Sequence, residues 1–121
     1  MKVSELAERI RDLCERWPGV THKVSHGRPS YFAGGKNFLV LHEGGHHQNT
    51  FPHLWCAAPP GVQDELLAAF PDRFFRPPYV GGRGWVGVRL DEPLDWDGLG
   101  RQVEEAWRTV ASDRLLGELE R

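Results

Sequence analysis

Apolar residues recur every three or four positions near both ends of this chain: Val3, Leu6, Ile10, Leu13 and Trp17 at the start, and Trp96, Leu99, Val103, Trp107 and Val110 towards the finish. Side chains so spaced share one face of a helix and need a surface to cover them. The first set predicts a helix from about Ser4 to Arg16, capped by Ser4 and ended by Pro18-Gly19. The second predicts a long helix capped by Asp95 or Asp97, after which Ser112 starts a brief helix carrying Leu115, Leu116 and Leu119.

Between these ends the pattern shortens to that of strands. Thr21 to Ser25 reads as a short strand, His26 to Ser30 as a turn, and Tyr31-Phe32-Ala33 with Asn37 to His42 as a hairpin across Gly34-Gly35-Lys36. Thr50 to Ala57 reads as a further strand, whose Pro52 suits an edge or a strand start. Pro59-Pro60-Gly61 opens a short helix with Val62, Leu66, Leu67 and Phe70 on one side, closed by Pro71. Phe74-Phe75 is extended, and Trp85 to Arg89 forms a strand with Val86, Val88 and Leu90 on the core side and Trp85, Gly87 and Arg89 opposite. Helices at both ends and in the middle of an all-strand remainder predict a two-layer α+β domain, an antiparallel sheet with helices on one face.

One domain spanning residues 1–121 is expected from the length, and 40% hydrophobic with 26% charged residues is ordinary for a protein that folds unaided. No apolar run reaches the length of a membrane span, and the start is amphipathic and acidic, so a cytoplasmic protein is expected. Cys14 and Cys56 form no close pair and read as buried thiols.

The formal charge of −2 conceals an uneven layout. Arg16 to His42 holds four basic residues (Arg16, Lys23, Arg28, Lys36) and no acid; Arg73 to Leu90 holds Arg73, Arg76, Arg83 and Arg89, again without an acid. If the two stretches meet, one side of the protein attracts anions. The second stretch also carries Tyr79 in a Pro/Gly turn, either packed against arginines or a partner, or plugging the turn from beneath.

His42, His46 and His47 lie close together, which raises a metal site, but the segment is glycine-rich and its nearby carboxylate is Glu43 alone, so it reads as a polar loop. No nucleophile elbow or triad order is present, and Gly34-Gly35-Lys36 lacks the spacing of a phosphate loop. No metal, no cofactor and no catalysis are expected.

His26-Gly27-Arg28-Pro29-Ser30-Tyr31-Phe32 with Lys36-Asn37-Phe38, then Arg76-Pro77-Pro78-Tyr79-Val80-Gly81 with Gly84-Trp85-Val86, then Asp95-Trp96 and Glu105-Ala106-Trp107-Arg108, run in an order that resembles the MmcQ/YjbR-like family of small bacterial proteins. The resemblance implies an α+β fold of order α-β-β-β-α-β-β-α and DNA binding, by analogy of shape, through paired strand-and-turn wings. Where many members carry an Asn-Lys pair before the strand tryptophan, this chain has Gly81-Gly82 followed by Arg83.

The expected function is therefore non-enzymatic, weak DNA or other nucleic-acid binding through Arg28, Lys36, Arg76, Tyr79, Arg83 and Arg89. Six phosphate contacts, from Arg28, Lys36, Arg73, Arg76, Arg83 and Arg89, would give a salt slope of roughly −5. The alternative is a module that binds an acidic protein or a small anion with the same face; a metal-dependent activity at His42, His46 and His47 is a third reading. The sequence pI of about 6.3 weighs against a dedicated nucleic-acid domain, which usually runs basic.

Overall fold

The computed structural model describes residues 3–46 and 48–120. The helical periods become α1 (Val3–Glu15), α3 (Trp96–Val110) and α4 (Asp113–Glu118), with the short α2 (Val62–Ala69) in mid-chain. Ser4 falls within the range of α1, which begins at Val3. Asp95 is the N-cap residue of α3, and Ser112 caps α4 by accepting a hydrogen bond from the Leu115 N–H.

Six strands follow from the alternating runs: β1 (Val20–Ser25), β2 (Arg28–Ala33), β3 (Lys36–His42), β4 (His53–Cys56), β5 (Phe74–Phe75) and β6 (Val86–Arg89). Four of them precede α2, one more than the family order implies. All neighbours are antiparallel, and the sheet order is β1-β2-β3-β4-β6-β5. Two tight turns set the register of its first half. His26 and Gly27 both have positive φ, as do Gly34 and Gly35, which is the backbone a two-residue hairpin needs to match the twist of its strands. Pro52 sits immediately before β4, so the strand-start position is the one taken; β4 itself is central, between β3 and β6.

Strand alternation divides the sheet into two faces. On one, Leu39, Leu41, Leu54, Cys56, Val86 and Val88 lie buried with Ile10, Cys14, Val103 and Trp107. Each leucine, valine or isoleucine among them contributes about 1.5–3 kcal/mol on burial. The Trp17 and Trp107 rings stack at 5.6 Å, and the Trp107 indole donates to the Pro18 carbonyl, which ties α3 to the end of α1. Phe70 departs from the expected apolar side of α2 and is 55% exposed.

On the other face, β3 and β4 bring His42, His53 and Trp55 together. Gly87 of β6 belongs here because a Cβ at that position would collide with the Phe75 ring, so the missing side chain is what lets β5 lie against β6.

Candidate functional site

The segment between β5 and β6 is built as a rigid projection. Pro77 is buried, Val80 N–H bonds to the Pro78 carbonyl at 2.6 Å, and a single 3-10 turn (Gly81–Arg83) closes with Arg83 N–H to Val80 and Gly84 N–H to Gly81, both at 3.0 Å. A three-residue turn about Tyr79 with φ of 63° is a strained γ-turn, rare for any residue but glycine. The projection is clamped from below by Gln63 of α2. That buried amide donates to the Gly81 and Trp85 carbonyls at 2.8 and 2.6 Å and accepts from the Arg76 guanidinium at 3.1 Å. Arg76 lies along Gly81 so closely that a Cβ there would sit 2.8 Å from its Cγ, which explains glycine at this position.

Three of the expected site residues emerge from this projection. Arg76 and Arg83 are exposed and have no ion pair among the described residues, and the Arg83 guanidinium lies 5.2 Å from the centre of the Trp85 ring. Tyr79 is 80% exposed and so is not a plug under the turn. Its ring approaches His46 at 6.0 Å and Trp55 at 6.4 Å.

The other three lie elsewhere. Arg89 is half-buried, doubly bonded to the Asp91 carboxylate at 3.0 and 2.7 Å and stacked over Phe51 at 4.0 Å. Asp91 falls one residue beyond the acid-free stretch. Arg28 is half-buried at the start of β2, donating to the His26 and Gly45 carbonyls. Lys36 is exposed at the opposite end of β2, just past the Gly34-Gly35 turn.

Register rather than proximity in sequence produces the histidine cluster. His42 faces His53, and His53 faces Arg89, across β3, β4 and β6. The two imidazoles stack at 4.8 Å with an interplanar angle of 13°, and the Trp55 ring lies 4.0 Å from His42. Burial, reinforced by His53, Arg28 and His46, pushes His42 down from its ordinary 6.5 to about 3. Burial lowers His53 as well, against the Phe51 carbonyl to which its Nδ1 bonds at 2.8 Å. Both rings are thus neutral near pH 7. His47 lies outside the described residues, and among those described no group of three or more His, Cys, Asp or Glu is placed to hold a metal.

Larger grooves exist on the helical side, but their charges balance. A cavity of about 570 Å³ between α1 and α3 sets Arg9, Arg16 and Arg101 against Asp12, Asp97 and Glu104. One of about 650 Å³ between α2 and α3 sets Arg73 and Arg101 against Asp95 and Glu105. Neither has the one-signed charge of the acid-free projection.

The YjbR family model matches residues 15–109. The chain belongs to the YjbR family. That match covers every strand, α2, the Arg76–Gly84 projection and all but the last residue of α3. Among solved structures, this YjbR chain is similar to the crystal structure of Deinococcus radiodurans protein DR2400, whose domain is the family-model domain DUF419. The TM-score is 0.73 at 15% identity, over 94% of this chain and 87% of that one. At such identity the likeness shows a shared fold. No curated protein matches the sequence. No helix among the described residues is long and apolar enough to cross a membrane.

Proposed function

We propose that this YjbR-family chain is a non-enzymatic protein that binds DNA or other nucleic acid weakly, through the turn that carries Arg76, Tyr79 and Arg83. The supporting observation is that two exposed arginines, without carboxylate partners among the described residues, stand either side of an exposed aromatic residue in the sequence of one rigid turn. Guanidinium groups of this kind bond phosphate oxygens at two points, and Arg76 keeps free donors beside the one it gives Gln63. Arg28 and Arg89 are already engaged, Lys36 lies at the far end of β2 and Arg73 lines the groove between α2 and α3, so two phosphate contacts are expected rather than six, and the salt slope falls to roughly −2.

Fluorescence anisotropy of labelled DNA at about 50 and about 200 mM salt tests this: the slope implies an affinity loss of about ten-fold between them. Arg83→Ala should weaken binding and flatten that dependence. No binding at the lower salt, or binding indifferent to salt, refutes the proposal.

A further inference from the structure

We infer that the Arg76–Gly84 turn takes single-stranded nucleic acid, with Tyr79 as the platform on which an unpaired base stacks; this rests on the nucleic-acid reading of the same turn. Of the large apolar or aromatic side chains exposed among the described residues, Val24, Phe70 and Tyr79, Tyr79 is the most open. It is also the one held outward by a backbone conformation that L-residues avoid. Such strain persists only where the surroundings over-determine it, and here they do. Two prolines precede Tyr79, the 3-10 turn follows it, and Gln63 holds that turn's first carbonyl. A tyrosine serving only to fill space would relax inward, towards the Trp55 and His46 rings beneath it.

An exposed ring on a turn that also carries two guanidinium groups matches the chemistry of a nucleotide whose base is free, because the base stacks and its flanking phosphates pair. Within a duplex both faces of each base are already covered by its neighbours, so the ring would have nothing to stack on. Duplex binding without a groove-reading helix also needs a broad cationic surface, and this turn offers two arginines that have no ion pair among the described residues.

The test compares a fluorescein-labelled mixed-sequence strand with the same strand annealed to its complement, using the whole chain and three variants. Tyr79→Gly is the decisive one, since glycine accepts the positive φ without strain and its fold should be as stable as the parent. It should lose about ten-fold in affinity for the single strand, the size of one base–aromatic stack. Tyr79→Phe, which keeps the ring, should bind as the parent does. Arg83→Ala should weaken single strand and duplex alike. A preference for the single strand that Tyr79→Gly abolishes supports the inference. Equal affinity for both forms, or a single-strand affinity untouched by Tyr79→Gly, overturns it while leaving nucleic-acid binding standing. Binding to neither form at about 50 mM salt overturns the functional reading itself.

Discussion

A proton on His42 would have to enter a site walled by His53, Trp55 and His46 and facing the Arg28 charge. The folded state therefore resists protonation to about 3, whereas the unfolded chain takes up the proton near 6.5. Between those values the unfolded state binds more protons, so stability falls as pH falls through that window and is at full strength above it. From about pH 7 to about pH 5 the loss is about 2 kcal/mol, at about 1.4 kcal/mol per unit of displacement. Urea midpoints should show this acid limb in the parent chain and a shallower one in His42→Phe; the part that remains belongs to His53, which is displaced in the same direction. An identical limb in both proteins would contradict the assignment. The sequence showed histidines crowded between residues 22 and 53, but grouped His42 with its chain neighbours His46 and His47. The imidazole stacked parallel to it, His53, comes from β4 and is set by strand register.

At the level of elements, α2 matters less for its apolar side than for Gln63, which ties it to the projection 18 and 22 residues away. Gln63→Glu keeps the shape but removes both donors, leaving the Gly81 and Trp85 carbonyls facing a carboxylate. Such a loss should cost about 2–6 kcal/mol, at about 1–3 kcal/mol for each of the two buried carbonyls left unsatisfied, and should weaken nucleic-acid binding with it because the turn loses its anchor. Urea unfolding and the anisotropy titration measure the two effects; an unchanged midpoint would mean the clamp is not structural. Nothing in the sequence marked Gln63, since an amide on a short helix is ordinary and its value lies in carbonyls far along the chain. The strand beyond it was legible: Val86, Val88 and Leu90 are all buried, as alternation required.

At the scale of the molecule, both cysteines report on the integrity of the core. Cys14 of α1 and Cys56 of β4 are fully buried and unpaired, and burial pushes the Cys56 thiol up to about 12, opposed by a hydrogen bond from Gln102. Burial raises Cys14 too, helped by Cys56 and Glu15. Neither should react with a thiol reagent in the native state, and in urea both should become reactive together, along the global transition. Early reaction of one alone would reveal that α1 or β4 opens separately.

Helix positions, the two glycine-bearing hairpin turns, the inward residues of β6 and the class of fold could all be read along the chain, because periodicity and turn chemistry are properties of neighbours in sequence. The family resemblance rested on the same local order. Which arginines remain available could not be read that way. Arg28 bends to carbonyls at residues 26 and 45, Arg89 turns past the end of its acid-free stretch to Asp91, and Arg76, Tyr79 and Arg83 stand out because a distant amide and a strained turn hold them there. A cation counts towards a binding site only after folding has assigned its partners, and those assignments depend on contacts made through space.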